Sequence, residues 1–161
     1  MALLVITVQS NLLCLLGGAS GIGLGITRSF AEQGAHISVL DINAEGAAIV
    51  QRLWSEFPKA SFSFKACDIS EWDEQATAFE QIYNEQGRID VIIANAGISM
   101  EDKLITHEEE PSKPGLRVLA VNLVGTIYSK CLCLIFWSDL LSYGSRQISN
   151  PLPQKEPGWA L

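Results

Sequence analysis

The stretch from Leu12 to Phe30, LLCLLGGASGIGLGITRSF, constrains the fold more than any other part of the chain. Leu12 to Leu16 is an unbroken apolar run ending in Gly17-Gly18, which predicts a short strand buried on both faces. From Gly21 the pattern changes: Ile22, Ile26 and Phe30 fall four apart, predicting a helix with one apolar stripe that stops near Gly34. A strand that turns through glycines into a helix is the start of a crossover, and crossovers build parallel sheets.

The alternation continues along the chain. AHISVLD reads as a second strand ending at Asp41, and a helix from about Ala44 to Phe57 is closed by Pro58. SFSFKACD alternates Phe62, Phe64 and Ala66, so a third strand is expected to end at Asp68. Ser70 and Asp73 have the spacing of a capping-box variant. Trp72, Ala76, Phe79 and Tyr83 predict the buried side of the helix that follows, closed by Gly87. IDVIIANAG is a fourth strand, and Leu116, Leu119, Leu123 and Ile127 support one further helix.

The expected class is α/β: a Rossmann-like doubly wound parallel sheet, incomplete at about four strands, with an irregular C-terminal tail. Residues 1–130 are read as one nucleotide-binding domain of this type, and 131–161 as an atypical, poorly ordered tail. No periodic pattern survives in SDLLSYGSRQISNPLPQKEPGWAL, which carries three prolines and two glycines.

Composition narrows the function classes. A formal charge of −7 and the lack of a polybasic run argue against nucleic acid or an anionic membrane as partner. HEEEPSK, His107 to Lys113, is expected to be an acidic solvent loop. Cys14, Cys67, Cys131 and Cys133 lack metal-site spacing, so no metal is expected, and they read as buried thiols of a reducing compartment. The apolar N-terminus lacks a basic leader and is interrupted by Gln9, Ser10 and Asn11. The run Cys131 to Trp137 is too short to span a bilayer. A cytoplasmic protein is expected.

In an open parallel sheet, ligands bind beyond the strand C-termini. The first such turn is GGASGIG: Gly17 permits the sharp turn, Gly21 lets backbone approach a pyrophosphate, and Gly23 lets helix and strand pack closely. The helix N-terminus then offers unpaired N–H groups and its positive dipole end. Asp41 ends the next strand, 18 residues beyond Gly23, near the offset of about 20 expected of a ribose-binding acid. With no Arg or Lys in the turn or directly after Asp41, NAD is favoured over NADP. Asp41 as a simple helix cap is the alternative.

Gly-x-x-x-Gly-x-Gly at Gly17, Gly21 and Gly23, CDIS at Cys67 to Ser70, and ANAG at Ala94 to Gly97 occur in that order. Together they resemble the short-chain dehydrogenase/reductase family over about Leu12 to Lys130. The resemblance implies that Gly17, Ser20, Gly21, Ile22 and Gly23 belong to the cofactor-binding turn. It implies Asp68 on the adenine amino group, Ile69 against the adenine ring, and Asn95-Ala96-Gly97 beside the adenine ribose. Taken singly, Asp68 could cap a helix and Asn95 could end a strand. The family usually carries Thr before the first glycine, where this chain has Leu16; one lost hydrogen bond there costs ~1 kcal/mol.

The family's chemistry uses a Tyr phenolate with a Lys four residues later, a Ser that orients the substrate oxygen, and an Asn that holds a relay water. LAVNLVGTIYSK matches the family's helix signature, so Asn122 takes the relay position; a polar residue bonding within the helix is the other reading. No Tyr-x-x-x-Lys exists in the chain: Tyr83, Tyr128 and Tyr143 are followed at the fourth place by Gly87, Leu132 and Gln147. Tyr143 lies too close to Asn122 to leave room for the family's Ser-bearing strand, and reads as an incidental tail residue.

Two functions follow from the resemblance. One is an oxidoreductase moving hydride between a nicotinamide cofactor and a secondary alcohol or ketone. The other is a truncated, inactive NAD(P)-binding fragment, expected if an altered frame, retained intron or early stop follows Lys130. An interaction protein without nucleotide has no specific residue in its favour. Oligomeric state is left open, although a bare sheet edge and an uncovered apolar face would invite association.

Overall fold

The computed structural model describes residues 12–99 and 115–142, with the side chains of 137–142 excepted. The N-terminal apolar run, the acidic loop His107 to Lys113, Tyr143 and everything after Ser142 lie outside the described residues.

Four parallel strands form one sheet in the order β3-β2-β1-β4. They are β1 (Leu12–Leu16), β2 (His36–Asp41), β3 (Ser61–Ala66) and β4 (Val91–Ala94). The crossovers are α1 (Gly21–Glu32), α2 (Gly46–Glu56) and α3 (Trp72–Gln86). After β4 come a short α4 (Arg117–Leu119), a π-helical segment Ala120–Gly125, and α5 (Thr126–Ser142).

Alternation along β1 builds two cores. Leu13 and Leu15 face Val50 and Leu53 of α2 and Ala31 of α1, while Leu12, Cys14 and Leu16 face Phe79 and Ile82 of α3 and Leu132 of α5. The sheet is therefore covered on both faces, as a doubly wound architecture requires. Order reverses at β1, with β2 on one side and β4 on the other. This switch point opens a crevice beyond the strand C-termini.

Several buried faces differ from their expected pattern. In α1 the buried row is Gly23, Thr27 and Ala31; Ile22 is 80% exposed. At Gly23 the helix lies so close to the Gly17 turn that no side chain fits between them. In α3 the buried row is Gln75, Ala78, Phe79 and Ile82, while Trp72 is exposed and stacks edge-on against Tyr128. The capping box does not form: Glu71 is the N-cap, and the Ser70 hydroxyl donates to Asp68 instead. β3 stops at Ala66, short of Asp68.

The stripe Leu116, Leu119, Leu123 and Ile127 does mark a helical region, but it points outward, each residue about half exposed. Val121, Gly125, Ser129 and Leu132 face inward instead. The boundary expected at residue 130 falls inside α5, which runs on to Ser142. Cys131 is exposed and Cys133 half-buried, unlike Cys14 and Cys67. The Cys131–Trp137 run is part of a longer helical arm; Arg117–Phe136 has the length and composition to cross a bilayer. Its inner face is committed to α3, through Phe136 against Phe79 and Tyr83.

Candidate functional site

The crevice at the switch point holds a cavity of about 450 Å³, within the range of small-molecule sites. Each wall comes from a different connection. Gly17, Ser20, Gly21 and Ile22 arrive from the β1–α1 turn, and Asp41 from the end of β2. Asp68 and Ile69 follow β3, and Asn95, Ala96 and Gly97 follow β4. These residues, far apart in sequence, meet because all four strands point the same way.

Hydrogen bonds between the connections fix the glycine turn. Gly17 N–H donates to the Leu40 carbonyl at 2.7 Å, and Asn95 Nδ2 donates to the Gly17 carbonyl at 3.0 Å. The Thr27 hydroxyl reaches the carbonyls of Gly18 and Gly23, both at 3.0 Å. Gly17 has φ +75°, and a Cβ there would come within 2.7 Å of Ala96 Cα, so only glycine fits. Leu16, where the resemblance expects Thr, is fully buried in the sheet. The turn is held by Thr27 and Asn95, a role for Thr27 that the sequence reading missed; a hydroxyl on the buried side of a glycine-rich helix was its only signal.

Gly23 is placed differently from the rest of the motif. It does not border the cavity: a Cβ on it would fall 1.8 Å from the Gly17 carbonyl oxygen, so its task is contact between helix and turn. Gly21 is the reverse case, with φ +49° and nothing within 4 Å of an added Cβ. Its bare backbone faces open space at the start of α1, where the first N–H groups lack intrahelical acceptors. That cradle fits a pyrophosphate.

Asp41 is 8% exposed. Its Oδ2 accepts the Ala19 N–H and its Oδ1 accepts the Asn43 N–H, both at 2.9 Å. The carboxylate thus locks the turn at the same time as it borders the cavity, leaving further lone pairs for a donor. Asp68 Oδ1 accepts both the backbone N–H and the hydroxyl of Ser70, and Asp68 N–H donates to Glu74 at 2.7 Å. Asp68 therefore closes a local turn rather than capping α3.

Asn122 sits in the π-helical segment and does not border the cavity. Its amide bonds the main chain of Ile98 in both directions: Oδ1 accepts the N–H and Nδ2 donates to the C=O, each at 2.9 Å. It joins the helical arm to the segment that follows β4 rather than bonding within its own helix. Further residues line the cavity without having been expected there: Ile42, Asn43, Cys67, Ile98, Arg117 and Val121. Cys67 belongs to the CDIS motif; the others are neighbours of motif residues, and no local pattern marks them.

A parallel sheet with this strand order, a glycine turn at its switch point and an acid at the tip of the adjoining strand defines a nucleotide-binding α/β protein. The short chain dehydrogenase model matches residues 11–137, and the chain belongs to that family. It is 33% identical to an NADP-dependent dehydrogenase of Cochliobolus lunatus, over 78% of this chain and 46% of that protein. It is 34% identical to a 3-oxoacyl-[acyl-carrier-protein] reductase of Chlamydia muridarum, over 74% of this chain and 46% of the relative. Among solved structures, the NADPH-dependent 3-quinuclidinone reductase of Rhodotorula rubra superposes with a TM-score of 0.73 at 23% identity, covering 83% of this chain and 50% of that one. The chain spans about half the length of these relatives. Family membership implies a nicotinamide cofactor.

Proposed function

We propose that this chain is the dinucleotide-binding part of a cytoplasmic short-chain oxidoreductase that moves hydride between a nicotinamide cofactor and a secondary alcohol or ketone. The observation that carries the reading is the single cavity shared by Gly21, Asp41, Ile69 and Asn95. The bare backbone at Gly21 and the N-terminus of α1 take the pyrophosphate, helped by Ser20 and Ile22. Asp41 accepts from the adenosine ribose hydroxyls and repels a 2′-phosphate, which supports NAD over NADP. Ile69 packs on the adenine ring, Asp68 meets its amino group, and Asn95-Ala96-Gly97 flank the ribose. When bound, the cofactor supplies the hydride acceptor or donor.

A second reading concerns the 161 residues taken alone. None of Tyr83, Tyr128 and Tyr143 has a lysine four residues on. Loss of a positioned acid–base group lowers a rate by about 10²–10⁴. On this reading the chain binds dinucleotide, and Asn122 keeps a positioning role at Ile98, but hydride transfer is slow or absent.

Two measurements test these readings. Titration with NADH and NADPH is expected to show binding, tighter for NADH; no binding to either overturns the cofactor reading. NADH formation over a panel of secondary alcohols then separates the oxidoreductase from the binding fragment.

A further inference from the structure

A polar cluster lies inside the apolar layer between α3 and α5. Gln75 is fully buried and Ser129 is 1% exposed. Gln75 Nε2 donates to the Ile69 carbonyl at 2.5 Å and to the Gly125 carbonyl at 2.9 Å, and its Oε1 accepts the Ser129 hydroxyl at 3.0 Å. The Ser129 oxygen also lies 2.9 Å from the Gly125 carbonyl. Both amide hydrogens and the amide oxygen are therefore used.

An apolar side chain of similar size would fill this position without desolvating an amide, so the glutamine calls for a reason beyond filling space. The reason lies in what it bridges. Ile69 forms one wall of the cavity. Gly125 ends the π-helical segment, whose Val121 forms another wall and whose Asn122 holds Ile98. The two walls touch at Gly125, where a Cβ would stand 2.7 Å from the Ile69 carbonyl oxygen. Apolar contacts tolerate sliding, whereas two hydrogen bonds from one planar amide set a spacing.

We propose that Gln75 is a positioning residue for the dinucleotide. It sets the gap between the Ile69 wall and the helical arm at the adenine end of the cavity, and Ser129 holds its amide in orientation. The proposal rests on the dinucleotide reading above. Gln75 touches no cofactor atom; it acts through Ile69.

The experiment uses the full chain and its Gln75→Met, Ser129→Ala and Leu53→Ala variants. NADH and AMP affinities are measured by titration well below the unfolding midpoint of each. Gln75→Met is expected to weaken NADH and AMP by the same factor, about tenfold, because the loss lies in the adenosine half. Ser129→Ala is expected to weaken both about threefold, and it reports the effect even where Gln75→Met fails to fold. Leu53 is 2% exposed in the core on the opposite sheet face, so Leu53→Ala is expected to lower the unfolding midpoint and leave both affinities at the wild-type value. Wild-type affinity in a folded Gln75→Met variant, or in Ser129→Ala, overturns the proposal. An equal loss in Leu53→Ala also overturns it, since general softening would then explain the effect. Failure of the wild-type chain to bind either NADH or NADPH overturns the dinucleotide reading itself, and the assignment falls with it.

Discussion

The hydroxyl of Thr27 stands 3.0 Å from the carbonyl oxygen of Gly18, across the first turn of α1 and fully out of solvent. It ties the helix to the middle of the glycine turn, on the side away from the cavity. The turn thereby gains the restraint that Leu16 cannot supply. Thr27→Val keeps the shape and removes the hydroxyl; it is expected to cost ~1 kcal/mol in denaturant unfolding and to weaken NADH binding, while Thr27→Ser retains both.

Two glycines of the GGASGIG turn should fail in different ways. Gly23→Ala puts a methyl group 1.8 Å from the Gly17 carbonyl oxygen, and a loss of about 3 kcal/mol in stability is expected. Gly21→Ala meets no atom within 4 Å, so strain at its positive φ costs only about 1–2 kcal/mol. Gly21 borders the cavity, so on the proposed reading its methyl group would compete with the pyrophosphate. Thermal unfolding beside NADH titration separates them: Gly23→Ala loses fold, and Gly21→Ala stays folded but loses ligand. A Gly21→Ala variant with wild-type NADH affinity would contradict the phosphate assignment.

Asp41 serves the turn and the cavity together. Asp41→Ala leaves the Ala19 and Asn43 N–H groups without their acceptor, so a loss of about 1–3 kcal/mol in stability is expected. The same change removes a negative charge from the cavity wall, which on the proposed reading would repel a 2′-phosphate. The ratio of NADPH to NADH affinity is expected to rise, measured by parallel titration. A ratio unchanged from wild type would remove Asp41 from cofactor choice.

The thiols should titrate with the fold. Burial, then the charges of Glu74 and Asp68, pushes the Cys67 thiol up from 9.0 to about 12. Burial raises Cys14 as well, with Cys67 and Cys133 adding to it. Folded thiols then keep protons that unfolded ones have lost. The stability they contribute is complete below the unfolded value of 9.0 and is lost as pH climbs from there through the folded values. Urea midpoints are expected to fall steadily above about pH 9. At neutral pH, alkylation followed by mass spectrometry should label exposed Cys131 first and half-buried Cys133 next, reaching Cys14 and Cys67 only on unfolding.

Much of this architecture can be read directly from residue order. Leu12–Leu16 is a strand in both readings because an unbroken apolar run next to glycines has few other uses. Gly87 closes α3 with φ +73°, as a glycine after an apolar period should. Gly17, Gly21 and Asp41 share a cavity because strand direction alone brings the ends of β1 and β2 together.

What local order could not convey is which face of each helix turns inward, and which polar groups are drawn in with it. Leu119, Leu123 and Ile127 have the spacing of a core stripe yet face outward, because the sheet and α3 meet the opposite side of the arm. Gln75 and Thr27 look like ordinary surface residues in the sequence. Inside the fold they find acceptors: Gln75 donates to the carbonyls of Ile69 and Gly125, and Thr27 to that of Gly18. Periodicity reports a segment's own preference; the acceptor a side chain finds depends on a partner many residues away, and that partner exists only once the layers have packed.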